Sequence, residues 1–341
     1  METQQRYEKT RDDFLNLYRC QSFYWCHDLH PGYFSSQMAS EHMGMSQSIQ
    51  HHYAHVLAVM AEFDLTEKVL GFSFDGTGWG DDQTVWGGEV LLADTHGYQR
   101  CGHLRPFRLI GGEQAIHEPA RILFALLLEC YSLSEIQAIR HPAFQQWSET
   151  YFQNLYQLWL SGSHSPYCTS FGRLFDAWAS LLFLVERIDF EGESGLEIER
   201  LASLEAAEDL PLLLHWSPAQ VLDWKSAICT CIEARVWEQK SGQIAASLAF
   251  IQAIATAIEQ MSDLYASLPV VVSGGVFQNR LLMDQLWQRW SSKEPRLSKE
   301  HSSKNQCSSK RQRLYSGVKI PVNDGGIAAG QLWYGMHAAQ H

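Results

Sequence analysis

The chain has 341 residues, a formal net charge of −12, 45% apolar side chains and 12% aromatic ones. That length favours two domains or one large bilobed domain, and the composition is ordinary for a protein with a sizeable core. The negative charge argues against nucleic acid as a partner, no run of 18 apolar residues suggests a membrane span, and the charged start "METQQRYEKTRDDF" has no apolar signal core.

In chain order, residues 4–20 read as a helix, with Tyr7, Phe14, Leu15, Leu17 and Tyr18 on one face. "HDLHPGYFSS" (27–36) reads as a loop or short strand with a turn. A helix is expected over 46–62, its apolar side formed by Val56, Leu57, Val59 and Met60. "KVLGFSFDGTGWGDDQTVWGGEVLLAD" then carries the signals of a β-hairpin around a Gly/Asp-rich turn. Helices are expected over 113–130, 144–160, 172–188, 217–237 and 241–267, and the acidic stretch 193–213 mixes loop with short helix. "LPVVVSGGVFQNRLLMDQLWQRW" runs from strand through a glycine turn into a helix. Residues 291–313, rich in Ser, Lys and Arg, read as a solvated insertion. "GVKIPVNDGGIAAGQLWYGMHAA" repeats the strand, glycine turn and helix.

The eight cysteines (Cys20, Cys26, Cys101, Cys130, Cys168, Cys229, Cys231 and Cys307) form no C-x-x-C pair. A zinc ribbon is therefore not expected, and free thiols in a reducing cytoplasm are. Cys229 and Cys231 read as small buried hydrophobes.

Two features carry chemistry. In "QSIQHHYAHV", His51 and His55 lie four apart on one helical face, a spacing that lets two imidazoles meet one divalent metal; His52 and His55, three apart, are the alternative pair. Two imidazoles make only half a coordination shell. Three glycine turns follow β-runs: "FDGTGWG" (74–80), "SGGVFQN" (273–279) and "NDGGIAAG" (323–330). Glycine lets backbone N–H groups approach a phosphate, and a helix start adds its positive dipole end. Three such turns point to a nucleotide cleft between two lobes. Asp75 and Asp324 stand in two of them and are hard oxygen ligands able to complete a two-His, two-Asp site for zinc or iron. Taken singly, turn chemistry accounts equally well for Asp75, and helix capping for Asp324. A glycosidase built on paired carboxylates leaves the glycine turns unexplained. There is no G-x-S-x-G elbow and no H-E-x-x-H pair.

The stretches "IQHHYAHVLAVMAE", "FSFDGTGWGDDQTVWGGEVLLAD", "RPFRLIGGEQAIHEPARI", "GRLFDAWASLL", "VVVSGGVFQNRLL" and "IPVNDGGIAAGQ", with "HDLHPGYFSS", resemble the carboxy-terminal part of the hydrogenase-maturation carbamoyltransferase family HypF. The resemblance runs over nearly the whole chain apart from 291–313. It implies an α/β, two-lobed actin-like ATPase fold of the ASKHA type, with residues 1–110 as a first lobe and 111–341 as a second. By the same resemblance, His51, His55, Asp75 and Asp324 are the metal ligands, the first three of them also catalytic. Gly76, Thr77 and Gly78 form a phosphate-facing hairpin, while Glu118, Gly172, Gly274, Gly275 and Asn279 contact the nucleotide. The implied reaction passes a carbamoyl group from carbamoyl-adenylate, made from ATP, to the carboxy-terminal cysteine of the maturation protein HypE, for cyanide-ligand synthesis. A divalent zinc or iron ion would act as Lewis acid and template. The acylphosphatase-like, zinc-finger and adenylate-forming regions of full-length members have no counterpart here, nor do the family's opening glycine-rich strands, so the first lobe is expected to lack its first strands. A small-molecule O-carbamoyltransferase, a metallohydrolase resting on the His pair alone, and an inactive remnant are the rival readings.

Overall fold

The computed structural model describes residues 2–19, 24–41, 45–204, 209–292 and 312–338. The Ser/Lys-rich insertion lies outside these residues except at its ends, as do Cys20 and Cys307. The described chain starts with α1 (Glu2–Leu17) and a parallel strand pair, β1 (Tyr24–Asp28) and β2 (Met45–Ile49), connected through α2 (Phe34–Glu41). α3 (His51–Glu62) follows at once, its first turn capped by the Gln50 side chain, which accepts the Tyr53 N–H at 2.9 Å. β3 (Val69–Trp79), β4 (Val85–Ala93) and β5 (Tyr98–Leu104) make an antiparallel meander. β6 (Phe107–Arg108), α4 (Glu113–His117), α5 (Pro119–Leu128), α6 (Leu133–Ile139), α7 (Glu149–Ser161), β7 (Tyr167–Cys168), α8 (Phe171–Leu181) and α9 (Glu193–Ala202) come next. They are followed by β8 (His215–Trp216), β9 (Val221–Asp223), α10 (Lys225–Glu233), α11 (Lys240–Leu264), β10 (Val270–Ser273), α12 (Arg280–Ser292), β11 (Leu314–Ser316) and α13 (Ile327–Ala338).

One large sheet has the order β11-β10-β3-β4-β5-β9-β8, with β10 and β11 parallel to β3. Residues on both sides of position 110 therefore share it. Side chains along a strand alternate between faces, and that parity sorts the core. Leu70, Phe72, Phe74, Val90, Val270 and Val272 join the cluster that contains the buried residues of α5, α8 and α11. Val69, Leu91, Ala93 and Val271 join the opposite cluster, against Val56, Leu57, Val59 and Met60 of α3. The odd-numbered positions of β3 thus look toward α3. At Gly71 an added Cβ would stand 2.6 Å from a Val56 methyl carbon, so the helix rides on the strand closer than a side chain allows. α13 reaches α3 in the same way: a Cβ at Gly330 would meet the Ala54 carbonyl oxygen at 2.0 Å.

Several sequence expectations shift for local reasons. The helix expected from residue 46 begins at His51, because Met45–Ile49 pair with β1. The helix expected over 113–130 splits at Glu118, whose φ of −120° and ψ of 82° lie outside the helical region that a following proline disfavours. Residues 217–223 form a turn and β9 rather than the start of a helix: Gln220 has φ 58°, and Val221 and Leu222 pair with His103 and Leu104. α11 is long and apolar enough to cross a membrane by length and composition. Its Phe250, Ile251, Ile254, Ile258 and Met261 are nevertheless buried in the core.

Gly71→Ala is expected to lower stability by about 1–3 kcal/mol through overpacking against Val56. The midpoint of urea unfolding reads it, and an unchanged midpoint would show that α3 can retreat freely from β3.

Candidate metal and nucleotide site

Asp75 continues the odd-numbered face of β3 that looks at α3, and there it meets the histidines. His51 and His55 stand one turn apart, and their Nε2 atoms lie 3.2 and 3.1 Å from Asp75 Oδ2. Asp324 Oδ1 is 3.6 Å from His51 Nε2 and 3.4 Å from His55 Nε2. One ligand atom from each of the four residues lies within 4.8 Å of the other three. A tetrahedral shell with bonds of about 2.0–2.1 Å separates its donor atoms by about 3.3 Å, so the set can hold a divalent ion once its widest-spaced donors draw together. His51, His55 and Asp75 are buried and Asp324 is exposed, which leaves a side open to ligand. His52, the alternative partner, turns away: its Nδ1 meets the Gln50 amide at 3.0 Å.

The remaining contacts orient these ligands. His51 Nδ1 lies 3.0 Å from Asp28 Oδ2, the carboxylate-behind-histidine arrangement that fixes a ligand's tautomer. Asp28 gets there because β1 pairs with β2 in parallel register, Asp28 beside Ile49, two residues before His51. The Asp75 Oδ1 atom accepts the Gly275 N–H at 3.0 Å. Glu62, at the end of α3, accepts the N–H groups of Val318, Lys319 and Ile320 at 2.9–3.2 Å. That clamp fixes the segment leading to Asp324.

Charge is balanced within the cluster. Burial alone would pull both histidines down. The carboxylates outweigh it, Asp28, Asp324 and Asp75 holding His51 well above the usual histidine range and Asp324 and Asp75 raising His55. Burial would raise Asp75, yet its bonds to His51 and His55 hold it well below the usual carboxylate value. The same two bonds depress Asp324 against a smaller opposing effect of burial. His52 moves the other way, burial and the neighbouring His51 keeping it neutral.

A cavity of about 480 Å³ opens beside the cluster, lined by Asp75, Gly76, Gly172, Gly275, Asn279 and Asp324 among others. Four of the sequence-predicted nucleotide residues are thus brought together: Gly76, Gly172, Gly275 and Asn279. Gly172 is required by contact, since a Cβ there would stand 2.7 Å from Gly76 Cα. Ser170, the cap of α8, donates its hydroxyl between the carbonyls of Asp75 and Gly76. Asn279 caps α12 through Oδ1, while its buried Nδ2 has no protein partner and is free to donate to a ligand.

The other predicted residues sit elsewhere. Glu118 is not at the cleft; it binds Arg121 Nε at 2.5 Å, Gln114 Nε2 at 2.6 Å and the Tyr151 hydroxyl at 3.2 Å. Thr77 is exposed and outside the lining. Gly78 backs onto the histidines, where a Cβ would meet the His52 ring at 2.5 Å. Gly274 makes the bend, with φ 102° and Phe74 O where a Cβ would go. "DGTGWG" is not a turn but the irregular end of β3: four steps from Phe74 to Gly78 face two from Gly88 to Trp86, a bulge that displaces Asp75 and Gly76 from the ladder. The chain reverses later, at 80–84. The third glycine turn does not directly follow a strand either, since β11 ends at Ser316 and irregular chain leads to the 3-10 turn Asp324–Gly326. Asp28, Glu62, Ser170 and Arg173 were not singled out from sequence. The nearest signals were the acidic residue within "HDLHP" and the positions flanking Gly172.

Comparison with known proteins identifies the family. The family profile described as "Carbamoyltransferase, Kae1-like Domain, second subdomain" matches residues 71–331, and that of the "HypF Kae1-like domain" matches residues 1–62. The carbamoyltransferase HypF of Synechocystis sp. is 33% identical over 92% of this chain and 40% of its own length. HypF2 of Cupriavidus necator is 29% identical over the same shares. A crystal structure of full-length HypF in a phosphate- and nucleotide-bound form superposes with a TM-score of 0.82 at 28% identity, over 98% of this chain and 50% of that one. The HypF structure from T. kodakarensis gives 0.75 at 27% identity, over 92% of this chain and 40% of that one. The α/β actin-like fold expected from the sequence is the fold of these relatives. This chain spans about two-fifths of the length of the curated relatives.

Because the neighbouring carboxylates raise His51 and His55 from the ordinary histidine value, a metal ion is expected to compete with protons for them. Zinc titration at pH 7, repeated in buffers of different ionisation heat, is expected to show about one to two protons released per ion. No release would mean that the imidazoles are already neutral.

Proposed function

This chain belongs to the HypF carbamoyltransferase family, and on that premise we propose that it is the carbamoyl-transferring part of such an enzyme, acting in hydrogenase maturation. The observation that carries the reading is that Asp75 and Asp324 belong to both the four-ligand cluster and the lining of the cavity. A metal ion and a nucleotide phosphate would therefore be handled in one place. A relative in the same fold is described as phosphate- and nucleotide-bound, which supports an adenine nucleotide as the cleft's ligand.

In this reading His51, His55, Asp75 and Asp324 hold zinc or iron. The bound ion supplies Lewis acidity and a template for phosphate or carbamoyl oxygens. Gly76 and Gly172 keep the cleft floor free of side chains, and Gly275 fixes Asp75 through its N–H. Asn279 Nδ2 donates to the nucleotide. The acceptor is the carboxy-terminal cysteine of HypE: its thiolate sulfur bonds to the carbamoyl carbon of carbamoyl-adenylate as the bond to the phosphate oxygen breaks, and AMP leaves. The pairing of β10 with β3 puts residues on both sides of position 110 in one sheet, which counts against a lobe boundary there.

Incubating the metal-loaded chain with carbamoyl-adenylate and HypE is expected to place a carbamoyl group on the terminal cysteine of HypE, read by mass spectrometry. A folded, metal-loaded sample that leaves HypE unmodified would contradict the proposal.

A further inference from the structure

The charged residues lining the cleft that is to hold an anionic adenylate are, with one exception, acids. Asp75, Asp176, Glu191, Glu199 and Asp324 face it, and among the described lining residues Arg173 is the lone cation. We propose that Arg173 binds the phosphate of the adenylate, and that Asp176 behind it sets how strongly. The proposal rests on the nucleotide reading above and deepens it.

Arg173 stands in the first turn of α8, where its backbone N–H bonds the capping hydroxyl of Ser170 at 3.1 Å. That cap is the same hydroxyl that reaches the Asp75 and Gly76 carbonyls, so the arginine is registered against the metal-ligand loop. It is 6% exposed, and Asp176 is 4% exposed. Such burial of a guanidinium is costly unless its donors are used. Here they are only partly used. Nη1 pairs with Asp176 Oδ2 at 2.8 Å, while the buried Nε has no hydrogen-bond partner. An arginine that lines a cleft with a buried donor left over points to a ligand that supplies acceptors. A planar fork facing a phosphate is the pairing that arginine makes best.

The glycines leave the way open. A Cβ added at Gly76 would stand 3.5 Å from Arg173 Nη2, so a larger side chain there would cover the guanidinium. The absence of a Cβ at Gly172 lets α8 approach until that position is 2.7 Å from Gly76 Cα. The Asp75–Gly76 loop thus passes between the metal cluster and Arg173, with no side chain at 76 separating the arginine from the cavity. Asp176 offsets part of the Arg173 charge, so removing its negative charge would strengthen the hold on an anion.

The test compares AMP with adenosine, which lacks only the phosphate, by calorimetric titration of the zinc-loaded chain. Wild type is expected to prefer AMP. Arg173→Met is expected to weaken AMP by about 10- to 100-fold, the range for a hydrogen bond to a charged group, with adenosine unchanged. Arg173→Lys should fall between. Asp176→Asn should tighten AMP and leave adenosine alone, a change opposite in sign to that of Arg173→Met, which general loss of packing cannot produce. An AMP-to-adenosine ratio unaltered by Arg173→Met, or equal loss of both ligands, would overturn the proposal. If Arg173→Met does not fold, Asp176→Asn decides, and no selective gain for AMP overturns it. Wild type that binds adenosine and AMP equally would refute Arg173 alone, whereas wild type that binds neither would remove the nucleotide reading as well.

Discussion

The Asp75 carboxylate is the point on which the site depends. One oxygen is shared by His51 and His55 of α3, and the other is held by the Gly275 N–H after β10. The neighbouring α3 and the distant turn after β10 therefore converge on one side chain of β3. The convergence needs no special device beyond strand parity and two missing side chains. Val69, Gly71, Ser73 and Asp75 share one face of β3, and Gly71 lets α3 settle against it. Asp324 closes the cluster because α13 packs on α3 through Gly330, while Glu62 anchors the preceding segment from the other end of the same helix.

On the opposite face of β3 a second constraint sets the cleft floor. The Phe74 ring lies 4.2 Å from that of Phe171 and 5.3 Å from that of Phe277. Each of these residues adjoins a functional position: Phe74 precedes Asp75, Phe171 precedes Gly172, and Phe277 lies between Gly275 and Asn279. Buried aromatic pairs of this kind each contribute about 0.5–1.5 kcal/mol beyond area burial. Apolar stacking on one face thus fixes the spacing of polar groups on the edge. The ionic cluster alone could not do so, since burying its charges carries a desolvation cost that pairing only offsets.

How much of this was legible in the sequence depends on the range of the interaction. The His51–His55 pair follows from helical periodicity, and its two aspartates were found because they stand in glycine-rich stretches that read locally as turns after β-runs, although one is the bulged end of β3 and the other does not directly follow a strand. The α/β actin-like class was legible from the resemblance of several ordered stretches. What was hidden is set by pairing across the chain. Nothing local in "MSQSI" announces that it pairs with "YWCHD" and delivers Asp28 to His51. The residues of "DGTGWG" suit a turn as well as a bulge, and only the register with β4 decides between them. Glu118 looked like a cleft residue, but the break forced by Pro119 lets its carboxylate pair with Arg121 and Tyr151 instead. Arg173 carried no signal because its meaning lies in the acids around it, most of which come from other stretches of the chain.

The measurement that tests the central claim most directly is the metal content of the purified chain beside His55→Ala and Asp324→Ala, each checked for a folded spectrum. About one zinc or iron ion per chain, the stoichiometry of a single four-ligand site, lost in both variants, is the result predicted here. A folded wild type that takes up no metal, or variants that keep it, would contradict the convergence of α3, β3 and the Asp324 turn on one ion.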